Sequence, residues 1–392
     1  MILCGMWPLK LKSPFLQHAY KTYRLFMRLE LIGALLLCGP ITVPYAFFID
    51  KTLFSETLSY EIQYITLLLK VWVFESEAAR NLLKESLEIE ERMADSGIQE
   101  NLRILRRNKR INVKLSIIYT LMITSAFVMF CNALLIQTET NWKEIERNLN
   151  GTLSSKSVKR QPIVFTLPYM SGGWFYIGMF AQTLGVIFVI LYSIATQSIF
   201  FTYVTFTVAQ IQALRHSLKN FEENVDYSIC QSKESCIEQS LKRNILTHQK
   251  LIRYVKSLDG FLKYATLFDF AFYSLQIGAT VSKILSEIKH SEYSAVLFHV
   301  NYLCFNYLGL HFNYTSAYEI IFESSGLSMS IYESRWYEQK VNIRRSYIMM
   351  MRQMKHPLCL HIGPLYAMSN EMLILIIKAA YSYVTLLSKS SE

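Results

Sequence analysis

Seven stretches of the chain are apolar for long enough to cross a bilayer, and most polar positions fall between them. They run approximately Met27–Ile49, Thr57–Ser76, Val113–Gln137, Trp174–Leu214, Leu262–Leu285, Tyr293–Ser316 and Tyr366–Leu387. A helix needs roughly 20 apolar residues to span the hydrocarbon. Leu31–Ile49, Leu115–Thr138 and Gln161–Leu214 contain no Asp, Glu, Lys or Arg. Helices around a soluble core keep a polar face, and these keep none. The second stretch is the weakest, because Glu61 and Lys70 interrupt it. Before the fourth, Pro162, Pro168 and Gly172–Gly173 predict a loop, after which a long helix from about Trp174 crosses and protrudes.

Composition agrees with a membrane protein. The 392 residues are 52% hydrophobic, 14% aromatic and only 18% charged, with a mean hydropathy of +0.22; soluble domains carry about 25% charged residues. Lys10, Lys12, Lys21, Arg24 and Arg28 precede the first apolar run as in a signal peptide. That run is too long for one and no small-residue cleavage site follows, so it reads as a retained span.

Orientation follows from the Lys and Arg that flank the spans. Basic residues crowd the N-terminal segment, the loop after the second span (Arg103, Arg106, Arg107, Lys109, Arg110, Lys114), that after the fourth (Lys242, Arg243, Lys250, Arg253, Lys256) and that after the sixth (Arg335, Lys340, Arg344, Arg345, Arg352, Lys355). This alternation puts the N-terminus inside and, with seven spans, the C-terminus outside. Asn150-Gly151-Thr152 is a glycosylation sequon in a loop that this orientation places outside. Lys143, Arg147, Lys156, Lys159 and Arg160 in the same loop pull the other way. The net charge of +10 flanks the spans and gives no reason to expect nucleic acid as a partner. Seven scattered cysteines suggest neither a disulfide framework nor a zinc site.

The spans hold no nucleotide-binding glycine loop, metal-ligand spacing or nucleophile elbow, so neither an enzyme nor a cofactor is expected. The inside N-terminus, and the absence of Asp/Glu-Arg-Tyr and Asn-Pro-x-x-Tyr motifs, argue against a G-protein-coupled receptor. Intramembrane charges are few (Glu61, Lys70, Asp269, Glu371, Lys378) and should face other helices, a cavity or an interface. Aromatic groups are plentiful. Tyr60, Tyr64, Phe127, Phe130, Phe175, Met179, Tyr273, Phe298 and Tyr302 fall in the outer half of the bilayer, with the Gln182 amide among them. Each alone reads as packing or an interfacial belt; together they are a candidate ligand pocket.

The last eighty residues are more specific. Ser330-Ile331-Tyr332-Glu333-Ser334-Arg335-Trp336-Tyr337 precedes a basic helix-like stretch, Pro357 breaks it, and Gly363-Pro364-Leu365-Tyr366 leads into Met368-Ser369-Asn370-Glu371. The chain closes on Lys378-Ala379-Ala380-Tyr381-Ser382-Tyr383-Val384-Thr385-Leu386-Leu387. This succession resembles the end of insect odorant receptors. Gln182-Thr183-Leu184-Gly185 to Gln210-Ile211-Gln212-Ala213-Leu214, and His248-Gln249-Lys250-Leu251-Ile252, extend the likeness over most of the chain from the fourth span onward. Ala380 stands where the family usually has Ser, and Gln197 where an acid is frequent. The tail pattern of the related gustatory receptors is missing, although a contact-chemical channel of that superfamily is the nearest alternative.

The resemblance implies an all-α, seven-transmembrane-helix subunit of a tetrameric, odorant-gated, non-selective cation channel, assembled with a co-receptor in the plasma membrane of an olfactory neuron dendrite. It divides the chain into a ligand-binding region with cytoplasmic helix extensions (1–320) and an anchor helix plus pore helix (321–392). It places Tyr383, Leu386 and Ser390 along the pore, with Leu386 as the constriction, and Trp336 and Tyr337 at the subunit anchor.

Overall fold

The computed structural model describes residues 13–33, 51–149, 173–221, 232–289 and 293–390. Most of the first predicted span and the sequon at Asn150 lie outside them. The described elements are α1 (Pro14–Gly33), α2 (Lys51–Phe74), α3 (Glu77–Ala94), α4 (Gln99–Leu149), α5 (Gly173–Lys219), α6 (Lys233–Lys289), α7 (Tyr293–Ser325), α8 (Leu327–Tyr332), a 3-10 turn at Trp336–Glu338, α9 (Val341–Gln353), the strands β1 (His361–Ile362) and β2 (Tyr366–Ala367), and α10 (Asn370–Ser390).

Three helices are far longer than a bilayer is thick. α4, α5 and α6 have 51, 47 and 57 residues, about 70–85 Å at 1.5 Å per residue, against a hydrocarbon core of roughly 30 Å. α4 within 99–132 and α5 within 183–219 carry stretches long and apolar enough to cross a membrane. The protrusion expected after the fourth span is therefore present. The basic loops expected after the second and fourth spans are not loops: α3 and the start of α4 form the first, and the N-terminal half of α6 forms much of the second. The physical reason is visible in α6, where Leu241, Asn244, His248, Leu251, Val255, Leu258 and Leu262 are all buried. Their alternating three- and four-residue spacing makes an apolar seam, and no proline interrupts it.

These extensions pack into a second helical layer beyond the spans. Tyr254 of α6 hydrogen-bonds Ser86 of α3 (2.8 Å), and the Tyr203 hydroxyl of α5 donates to the Ala79 carbonyl (2.9 Å). Burial of His248 in this layer holds its imidazole below the usual histidine range. Folding thus favours neutral His248, and its contribution to stability is lost as pH falls through the ordinary histidine value. Phe221 and Tyr347 rings meet at 5.3 Å, and Arg215 pairs with Glu323 (3.1 Å). Cys236 is disulfide-bonded, which corrects the expectation from the scattered cysteines.

The seventh span was expected from Tyr366. Tyr366 instead lies in β2, and α10 begins at Asn370. The two short strands pair antiparallel, His361 with Ala367 and Ile362 with Tyr366. Gly363 turns this hairpin at φ 56°, a left-handed conformation that costs other residues energy. The hairpin is tied to α6 by Gly363 N–H to the Lys263 carbonyl (2.8 Å), His361 N–H to Asp259 Oδ1 (2.6 Å) and the Thr266 hydroxyl to the His361 carbonyl (2.9 Å). α9 thus reaches α10 through a joint clamped on α6, and α10 buries Leu373, Ile376 and Ala380 along one face.

Candidate functional site

Five spans converge on a polar centre. Gln63 and Lys70 come from α2, Asp269, Tyr273 and Gln276 from α6, Tyr302 and Asn313 from α7, Gln197 from α5 and Tyr119 from α4. The Lys70 ammonium lies 2.9 Å from Asp269 Oδ2 and 5.9 Å from the Tyr273 ring centroid. The Tyr302 hydroxyl donates to Gln63 Oε1 (2.7 Å), and Gln276 Nε2 donates to Gln63 Oε1 (3.3 Å) and to the Tyr302 hydroxyl. Gln197 donates to Asn313 Oδ1. Side chains of this kind stay in lipid-facing bundles by satisfying one another across helices. Of the intramembrane charges, Lys70 and Asp269 meet as expected for helix-facing groups. Glu61 is buried, whereas Glu371 and Lys378 are exposed on α10.

A cavity of about 40 Å³ opens among Gln63, Thr66, Lys70, Gln197, Tyr273 and Gln276. It has room for a water or two and is far below the few hundred Å³ of a small-molecule pocket. Beside it stands a column of rings. Phe127 and Phe130 stack at 6.5 Å, Phe130 meets Phe298 at 6.5 Å, and Phe298 stacks on Tyr302 at 6.3 Å and 10°. Tyr119 and Phe305 add a lower tier at 5.6 Å.

The pocket residues expected from sequence therefore divide. Phe127, Phe130, Phe298 and Tyr302 form one connected cluster, and Tyr302 joins it to the polar centre. Tyr273 lines the cavity, and Tyr64 is buried in the core. The side chains of Tyr60, Phe175, Met179 and Gln182 lie outside the described set, as do those of Tyr383, Leu386 and Ser390 on the last turns of α10. Trp336 is half-buried and Tyr337 exposed; the interior of the anchor layer is filled instead by Tyr347, Ile331, Leu218 and Leu258. Sequence reading missed Gln63, Gln276 and the Gln197–Asn313 bridge. An amide within an apolar run was the available signal, but its partner sits on another helix.

The family model described as 7tm Odorant receptor matches residues 50–381. The chain belongs to that family. Curated relatives include Odorant receptor 10 of Aedes albopictus, 22% identical over 192 residues (49% of each chain). Odorant receptor Or2 of Anopheles gambiae is 27% identical over 150 residues, 38% of this chain and 39% of the relative. These alignments span half or less of the relatives' length. Among solved structures, the olfactory receptor OR5 of Machilis hrabei in complex with eugenol superposes with a TM-score of 0.76 over 99% of this chain and 95% of its own, at 13% identity. The same receptor without eugenol gives 0.72. The fold is thus that of the all-α, seven-helix odorant receptors, a multi-pass membrane architecture, and the similar proteins are receptors and not enzymes.

Proposed function

We propose that the chain is the ligand-tuning subunit of an odorant-gated, non-selective cation channel. It assembles with a co-receptor into a heterotetramer in the plasma membrane of an olfactory neuron dendrite, with its N-terminus cytoplasmic. The observation that carries this reading is the ring column Phe127–Phe130–Phe298–Tyr302 ending in hydrogen bonds to Gln63 and Gln276. An apolar odorant gains affinity by burying surface against such rings, and the amides beneath give its polar end a direction. The similar OR5 of Machilis hrabei is a receptor for which a eugenol complex is known. The described packing leaves no odorant-sized volume in the polar cavity, so entry requires the ring column to part.

Opening follows if the ligand binds the parted arrangement more tightly. Reversing a two-state population completely takes about 5.5 kcal/mol of differential affinity, more than one small odorant supplies, so ligands on several subunits or partial opening are expected. α10 is the pore helix in this reading: copies of one amphipathic helix around a closed axis enclose water that one copy does not. Leu386 forms the hydrophobic constriction that gates by dewetting, and Trp336 and Tyr337 meet the neighbouring subunit in the anchor layer. Asn150 carries a glycan on the outer face.

Co-expression with the co-receptor and current recording against an odorant panel tests the whole reading. A cation current to at least one odorant is expected; surface-expressed protein without any current overturns it. Leu386→Ala should raise basal leak or alter ion selectivity, and unchanged values remove the gate from this residue. Tyr302→Phe should shift odorant potency by roughly 3–10-fold through loss of about one hydrogen bond. Equal potency across the panel would detach Tyr302 from the ligand. An N-terminal tag should be inaccessible to antibody in unpermeabilised cells.

A further inference from the structure

α4 carries two opposite stripes along its whole described length. One is buried: Asn101, Asn108, Tyr119, Ile123 and Phe130, with Asn108 bonded to Gln212 (2.8 Å) and Asn112 to Thr202 (3.0 Å) of α5. The other begins as Arg103, Arg106, Arg107, Arg110 and Lys114, all exposed. It continues in the same helical register as Ile117, Ile118, Leu121 and Val128, which are exposed apolar groups. Their spacing of i, i+3, i+4, i+7 and onward keeps them on one face. The apolar part is a lipid-facing surface, so the basic part lies just beyond the hydrocarbon edge. Between Gln99 and Lys114 six Lys or Arg stand against Glu100 alone, and Glu100 is taken by Arg103 (2.8 Å). Arg106, Arg110 and Lys114 make no ion pair among the described residues. The open space over the stripe is lined, among the described residues, by α4 side chains alone, Gln99 to Lys114.

We propose that this stripe binds the headgroup of a multiply phosphorylated anionic lipid, a phosphoinositide, from the cytoplasmic leaflet. Clusters of four or more Lys and Arg directly beyond a membrane span attract such lipids, and guanidinium forks grip phosphate oxygens in pairs. The depth of the stripe selects the class. Lys114 to Arg103 covers about 16 Å along the axis at 1.5 Å per residue. A single phosphate at the bilayer plane reaches only the first rung, whereas phosphates on an inositol ring reach further out. Continuity with the lipid-facing stripe favours a membrane lipid over an acidic protein segment. The opposite stripe is locked to α5, so an occupied headgroup site braces α4, the helix that also supplies Phe127 and Phe130 to the ring column.

The cytoplasmic side rests on the orientation proposed above, which the tag experiment tests separately; the binding measurement depends on neither orientation nor odorant. Full-length receptor co-purified with its partner subunit in detergent is titrated with short-chain phosphatidylinositol bisphosphate, soluble inositol trisphosphate and inorganic phosphate. The lipid should bind most tightly, the soluble headgroup more weakly and inorganic phosphate negligibly. Arg103→Gln/Arg106→Gln/Arg110→Gln/Lys114→Gln should weaken the lipid about a hundredfold or more. A matched set on α6, Lys242→Gln/Arg243→Gln/Lys250→Gln/Arg253→Gln, should change it less than threefold. Arg106→Gln/Arg110→Gln removes only two exposed groups and keeps the test available if the quadruple variant fails to fold. Unchanged lipid affinity in the α4 variants, equal loss in the α6 set, or equal binding of inorganic phosphate would each overturn the site. Displacement of the partner subunit by the lipid would assign the stripe to a protein contact instead.

Discussion

Asp269→Ala is expected to lower stability by about 3–5 kcal/mol, because it leaves the Lys70 ammonium buried without its counter-charge. The two groups lie 2.9 Å apart, with side chains only 14% and 12% exposed. Removing both charges is a different experiment. Lys70→Met/Asp269→Leu fills the same space with apolar atoms, and buried pairs replaced in this way are often neutral. The double variant should therefore melt close to the parent in detergent, while each single variant melts early and reaches the cell surface poorly. Stability losses that simply add in the double variant would show that Lys70 and Asp269 are not coupled. If Lys70 also shapes the cavity it lines, the double variant should retain its fold but change its odorant ranking, which separates a structural from a selective contribution.

Gly363→Ala should be the second large effect, about 2–5 kcal/mol from two sources. An L side chain at φ 56° costs roughly 1–2 kcal/mol, and its Cβ would stand 2.9 Å from Leu267 Cδ2, an overpacking cost of about 1–3 kcal/mol. The joint between α9 and α10 would loosen from α6. Expected results are a lower melting temperature and a current reduced more than odorant binding is. Leu267→Ala in the same chain relieves only the clash, so it should rescue part of the loss. Exposed Pro364 provides the control, since Pro364→Ala should be nearly silent. Full rescue by Leu267→Ala would mean that backbone strain contributes nothing.

The spans were legible because lipid imposes one rule along the chain. A segment without charge for twenty residues has to satisfy its backbone internally, and the helix does so with local bonds. Trp174–Leu214 therefore came out close to its helix, Gly173–Lys219, and Val113–Gln137 falls inside the longer Gln99–Leu149. The ends were less legible. α4 and α6 continue into the second layer because leaving the hydrocarbon does not oblige a helix to stop, and the seam from Leu241 to Leu262 persists through residues whose charges suggested a loop. The start of α10 was misplaced by four residues because the hairpin at Gly363 is stabilised by Asp259 and Lys263, about a hundred positions away.

The site shows the same division. Aromatic residues expected to share one half of the bilayer pointed to a group that includes Phe127, Phe130, Phe298 and Tyr302. Which rings touch, and that Tyr302 meets Gln63 and Gln276, depends on how α2, α6 and α7 cross. What the sequence by itself determined is the family and the all-α membrane class, because these follow from local patterning and a recognisable tail. What only the tertiary structure decided is pairing: Lys70 with Asp269, Gln197 with Asn313, the hairpin with α6, and the two faces of α4. Those contacts join residues far apart in the chain, and no local period encodes which of several polar groups will meet.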